Sequence, residues 1–153
     1  MITPLNLPKA HLKLRKTSEN TFVWSILRKK ELVLTPEEWV RQHVIHLLIN
    51  NCAVPEGLIA AEYQLTYNGR SKRADLVVYG RDQQPKLIIE CKAPEVKLSE
   101  ATLRQVAQYN HELKVELLML TNGLQHIYCR VNQQTGEVEY YKELAELITM
   151  LQV

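Results

Sequence analysis

The chain has 153 residues, 46% of them hydrophobic and 24% charged, with a formal charge of +2. That is one domain's length, with enough apolar content for a core of its own and too little net charge to attract a polyanion by field alone. Cys52, Cys91 and Cys129 are too scattered for a disulfide framework or a zinc ribbon, which suits a reducing cytoplasm. The five glycines build neither a GxxxxGK phosphate loop nor a GxGxxG turn. No apolar run approaches the ~18 residues of a membrane span, so no membrane partner is expected.

Residues 1–20 are basic and turn-rich and read as a loosely packed arm on a single domain, 1–153. Residues 22–34 form two short strands around Arg28, Lys29 and Lys30. TPEEWVRQHVIHLLINN is the clearest helix, with Thr35 as N-cap, Pro36 at the first turn and Glu38 completing a capping box. It ends near Asn51, before Pro55 and Gly57. Strands follow at 62–67, 73–79 and 86–92, the first pair joined by Asn68-Gly69, a hairpin signal. A helix spans 99–113, strands 116–120 and 126–131 pair across Asn122-Gly123, and a last helix covers 142–151. That order predicts an α/β (α+β) domain, a mixed sheet flanked by helices.

The second hairpin carries the chemistry. With its turn centred on Asp82 and Gln83, Asp75 lies across from Glu90 and Arg73 across from Lys92. Alternation puts Glu90 and Lys92 on one face, and Leu87, Ile89 and Cys91 on the apolar other. Like charges directly opposed are destabilising. Arg73 and Lys92 would relieve them in a solvated salt-bridge ladder. A divalent cation would relieve them too, since Mg²⁺ takes one or two carboxylates plus water and phosphate oxygens.

On the first helix, Glu37 and Arg41 fall near the middle of the apolar face made by Val40, Val44, Ile45, Leu47 and Leu48. Two readings of Glu37 stand. It pairs with Arg41 one turn on, or it looks across at the sheet. Glu38, toward the edge, is explained by capping. His43 and His46 fall on the polar side as a solvated face, and Trp24 and Trp39 are packing residues. Glu62 is within reach of the site from its strand. On the next helix Gln105 and Tyr109 lie one turn apart, which by itself describes a half-buried helix face.

The runs TPEEWVRQ, KRADLVVYG, LIIECKAPEV, RQVAQYN and LTNG, in that order over about residues 22–130, resemble the N-terminal domain of type I restriction enzyme R subunits. Those domains belong to the PD-(D/E)xK nuclease superfamily. The resemblance implies a restriction-endonuclease-like fold and metal-dependent hydrolysis of DNA phosphodiesters. It puts Asp75 at the metal-binding Asp, Glu90 and Lys92 at E-x-K, and Glu37 at the first-helix acid, with Glu38 as the alternative. Gln105 and Tyr109 stand at Q-x-x-x-Y, and Ala74 replaces the proline of the name motif. Glu37, Asp75 and Glu90 would hold one or two Mg²⁺ (or Mn²⁺) ions, with Arg41 and Arg73 in support. Residues 9–16, Arg28, Lys29 and Lys30, with Arg70, Lys72 and Arg73, would meet the DNA backbone. R subunits also carry an ATP-driven translocase, and these 153 residues hold no phosphate loop. The expectation is therefore a stand-alone nuclease domain of a restriction-modification system, working with a separate translocase or modification subunit. A homodimer would let two sites cut both strands. The competing readings are a non-catalytic nucleic-acid-binding or assembly module of the same fold, and an RNA-directed or repair nuclease.

Overall fold

In the computed structural model the described backbone covers residues 2–151 except 68, 113 and 142. Side chains at 63–67, 70–72, 105, 108–109 and 111–112 lie outside the description. The chain opens with a three-stranded antiparallel sheet of β1 (Leu14–Lys16), β2 (Thr21–Ser25) and β3 (Lys30–Val33). Helix α1 (Pro36–Asn50) follows, then β4 (Ile59–Tyr67), β5 (Arg70–Tyr79) and β6 (Pro85–Cys91). Helix α2 (Glu100–Glu112) leads to β7 (Leu117–Thr121), β8 (His126–Val131), β9 (Val138–Tyr141) and α3 (Leu144–Met150).

The six strands β4 to β9 lie in sequence order in one sheet. All their pairings are antiparallel except β6 with β7, which are parallel. A parallel pair needs a crossover, and α2 supplies it. The two faces bury different sets. Val40, Val44, Ile45, Leu47 and Leu48 of α1 and Leu147 of α3 pack with Leu76, Leu87, Ile89 and Met119. Leu103, Val106 and Ala107 of α2 pack with Val77, Ile88, Leu118 and Leu120 on the other face. The strands are apolar on both faces because helices cover both.

The Thr35 hydroxyl accepts the Glu38 N–H at 3.0 Å, so the expected N-cap forms. The Glu38 carboxylate does not close the box, because Arg41 and Gln42 claim it. Two strands were not legible. Residues 14–16 of the expected arm pair with β2, and Val138–Tyr141 pairs with β8. Further up the arm, Asn6 N–H donates to the Gly123 carbonyl at 2.8 Å and Trp39 Nε1–H to the Thr3 carbonyl at 2.8 Å. Among the described residues, no helix is long and apolar enough to cross a membrane.

Candidate active site

Asp75 sits where β5 and β6 part. The ladder runs Val78↔Leu87, Val77↔Ile88, Leu76↔Ile89 and stops there, one step short of Asp75 and Glu90. This is the expected register, but not the expected continuation. Asp75 Oδ2 accepts the Cys91 N–H at 2.7 Å, so a carboxylate takes the place of a ladder carbonyl. Lys92 N–H turns to β7 and donates to the Thr121 carbonyl at 2.8 Å. The expected opposition of Arg73 and Lys92 therefore lies beyond the ladder's end, and Arg73 pairs with Glu62 instead. In place of the salt-bridge ladder, one of the two readings of these residues, Asp75 pairs with Arg41 and Arg73 with Glu62.

Asp75 finds its cation on α1. Arg41 Nη2 donates to Asp75 Oδ1 at 3.3 Å and to Glu37 Oε1 at 2.7 Å, while Nη1 donates to Glu38 Oε1 at 2.7 Å. Gln42 Nε2 donates to the other Glu38 oxygen at 2.9 Å. One guanidinium thus joins three carboxylates, a use suited to its planar fork of donors. Burial works against the Arg41 charge, but Glu38, Asp75, Cys91 and Glu37 outweigh it, and its pKa lies above the ordinary value.

The sequence placed the two helix acids the wrong way round. The Glu37 side chain is 44% exposed, whereas Glu38 is 10% exposed. The reason is that α1 is buried on more than one side. Gln42 and His43 are buried along with Val40, Val44 and Leu47, so no single apolar stripe predicts the inward direction. His43 is likewise not on a solvated face. It packs edge-on against Trp39 at 4.4 Å, and Nδ1 meets the Trp39 carbonyl at 2.8 Å.

Cys91 packs on the α1 face with Leu87 and Ile89, as its alternation required. Burial, with Asp75 adding to it, pushes its thiol well above the ordinary range. Asp75, Arg41, Glu90 and Glu37 all bear electrostatically on that thiol. Among the described residues, Lys92 has no ion-pair partner. The loop after it is tied down where Asn122 Nδ2 donates to the Val96 carbonyl at 2.8 Å.

A second polar cluster borders this one. The β4–β5 ladder passes from Ala61↔Leu76 to Tyr63↔Ala74, skipping Glu62 and Asp75, and Glu62 has a φ of +50°. Such an irregularity re-aims a side chain. Glu62 meets Arg28, from the β2–β3 turn, and Arg73. Burial opposes its charge, yet Arg28 and then Arg73 hold its carboxyl below the ordinary glutamate range. Lys29 pairs with Glu56 at 3.2 Å, while Lys30 is exposed on β3. Of the proposed DNA contacts, Arg15, Arg28, Lys29 and Arg73 thus already have acidic partners. The Lys72, Gln105 and Tyr109 side chains lie outside the described residues. Ala74, where the motif has proline, is fully buried against the α2 face.

The sequence reading missed Gln42 and gave Glu62 no role. The signals were there: Glu38 and Gln42 stand one turn apart, and Arg28 follows a two-strand pattern that must fold back on the main sheet.

The donor chemistry fits a hard cation, since Asp75, Glu37 and Glu90 offer only oxygens. Two features qualify the fit. Among the described residues, no three Asp, Glu, His or Cys side chains are already assembled for a metal. Two of the carboxylates that would contribute, Glu37 and Asp75, are bridged by Arg41, more loosely at Asp75. The fit therefore requires that Arg41 and the cation share these oxygens or exchange on them.

A family model described as type I restriction enzyme R protein N terminus matches residues 36–145. No curated protein matches. Among solved structures, the chain is similar to a fragment structure described as an HsdR subunit of a type I restriction enzyme from Vibrio vulnificus YJ016. The identity is 22% and the TM-score 0.40 over 61% of this chain. The match covers 20% of that chain.

Proposed function

The chain belongs to the family of type I restriction enzyme R protein N termini, and on that premise we propose that it is a metal-dependent DNA endonuclease centred on Asp75, Glu90 and Lys92. The observation that carries the reading is Asp75 at the fork of β5 and β6. Its carboxylate is fixed between the Cys91 N–H and the Arg41 guanidinium, beside the two residues of the E-x-K motif.

Asp75 and Glu90, with Glu37 at the entrance to α1, would hold Mg²⁺ or Mn²⁺. When bound, the cation supplies positive charge to the scissile phosphate and lowers the pKa of a water molecule. The backbone bond from Cys91 fixes the orientation of the Asp75 carboxylate before substrate arrives. Lys92, whose backbone is held by Thr121, directs its ammonium at charge growing on the phosphate oxygens. Gln105 and Tyr109 on α2 would position a phosphate or a water. Lys30 and Lys72, with Arg28 and Lys29 sharing their charge with Glu62 and Glu56, would contact the DNA backbone without reading bases. Translocation belongs to another polypeptide segment or subunit, since these 153 residues hold no phosphate loop.

The test is incubation with supercoiled and linear DNA in Mg²⁺, Mn²⁺ or EDTA, without ATP. Cutting that EDTA stops and Asp75→Asn abolishes supports the nuclease. Asparagine keeps an oxygen for the Cys91 N–H, so the variant should fold. The second reading, a binding or assembly module, is favoured by the Arg41 bridge, which offsets part of the carboxylates' charge without any metal. It predicts salt-sensitive DNA binding with no product in either cation.

A further inference from the structure

Resting on the nuclease reading, we propose that Arg41 is a built-in surrogate cation, which holds the carboxylates of the site together before metal arrives and gives up Asp75 when metal binds. The geometry points to it. Arg41 is 9% exposed, yet its donors reach Glu37, Glu38 and Asp75. Three acids so close would repel one another if left uncompensated. The contacts are not equal. Those to Glu37 and Glu38 are 2.7 Å, whereas the one to Asp75 is 3.3 Å. Nη2 carries both Glu37 and Asp75, so losing Asp75 leaves a good bond in place.

The Glu38 side is built to hold the guanidinium still. Glu38 is buried and also accepts from the buried Gln42, a pair on the same helix as Arg41. Asp75, by contrast, stands on a different element, at the end of a ladder, with its second oxygen fixed by Cys91 N–H. Arg41 is thus anchored on α1 and lends the second N–H of Nη2 to the sheet. A divalent cation at Asp75 competes with that one contact and not with the whole network. Arg41 is a positioning residue here: its effect on the reaction passes through Asp75.

Competition and assistance make opposite predictions. If Arg41 competes, removing it strengthens metal binding. Titration calorimetry of Mg²⁺ into metal-free protein reads this directly, without DNA or turnover. For Arg41→Met the dissociation constant should fall by about tenfold, or ~1.4 kcal/mol, of the order of one charge-assisted hydrogen bond no longer forfeited. Arg41→Lys, which keeps the charge but not the fork, should fall between wild type and Arg41→Met. Thermal unfolding supplies the second readout. Metal-free Arg41→Met should melt well below wild type, and Mg²⁺ should restore it more than it raises wild type. Arg81→Ala, an exposed position in the turn between β5 and β6 away from the site, should change neither readout.

If wild type binds Mg²⁺ and Arg41→Met binds it equally or more weakly, the surrogate is refuted while the nuclease reading survives. Weaker DNA binding by Arg41→Met with no gain in Mg²⁺ affinity would make Arg41 a phosphate ligand and also overturn the proposal. If neither wild type nor variants bind Mg²⁺ or Mn²⁺, both readings fall together.

Discussion

At the scale of single residues, the site depends on side chains answering backbone groups and on one cation answering several anions. Asp75 does both, accepting from Cys91 N–H and from Arg41. Its place was legible because alternation and the turn at Asp82 and Gln83 fix the register, which the ladder follows down to Leu76↔Ile89. The helix acids were not legible in the same way. Sequence periodicity orients a helix that has one wet side, and α1 buries Gln42 and His43 as well as its apolar residues. Glu38 accordingly has both oxygens occupied, by Arg41 and Gln42. Glu38→Ala should lose about 3 kcal/mol in urea unfolding, the scale of breaking one buried ion pair. A loss below about 0.5 kcal/mol, typical of surface sites, would show that the pair carries no load. Glu37, half-exposed, should cost much less in the same measurement.

At the scale of elements, the N-terminal arm illustrates what periodicity cannot reach. Beyond its β1 pairing with β2, it makes hydrogen bonds to polar groups far along the chain, and no spacing within residues 1–20 encodes them. His126 holds one of these contacts. Its Nε2 meets the Asn6 carbonyl at 2.7 Å and its Nδ1 meets the Thr121 hydroxyl at 2.7 Å. A carbonyl only accepts, so Nε2 carries the proton and Nδ1 of the neutral ring accepts from Thr121. Burial lowers the His126 pKa below its ordinary 6.5, with the Asn6 bond opposing. The unfolded chain then binds the proton more readily. The contribution is complete above pH 6.5 and is lost as pH falls through that value toward the folded pKa. Wild type should therefore lose stability between pH 7.5 and 5.5 more steeply than His126→Asn. Equal slopes would rule His126 out as the titrating latch. The same turn explains Gly123, with a φ of +85° and Leu5 only 2.7 Å from where a Cβ would sit. Gly123→Ala should destabilise by about 1–3 kcal/mol, the scale of a strained backbone position, and expose the arm to protease.

At the scale of the whole molecule, the sheet order explains why a small domain can present a polar site at all. Parallel β6 and β7 need α2 as a crossover, and α1 covers the opposite face. The sheet is buried on both sides, so charged side chains collect where strands diverge. The sequence revealed the three-strand block β4 to β6 and the helix after it, since each is written in local spacing. It concealed β1 and β9, whose short exposed runs acquire strand character only through their neighbours. The charge of the whole chain is close to neutral, so DNA affinity should come from a few local contacts. Lys72→Ala should weaken binding similarly on unrelated sequences and reduce the slope of log affinity against log salt by about 1. An unchanged slope would remove Lys72 from the interface.

The most direct test of the central claim is single-turnover DNA cleavage by Lys92→Ala in Mg²⁺ without ATP, with DNA affinity and melting temperature measured alongside. The account predicts a cleavage rate lower by roughly 10²–10³-fold, the size of removing one group that stabilises transition-state charge, with affinity and folding close to wild type. Cleavage at the wild-type rate would contradict it.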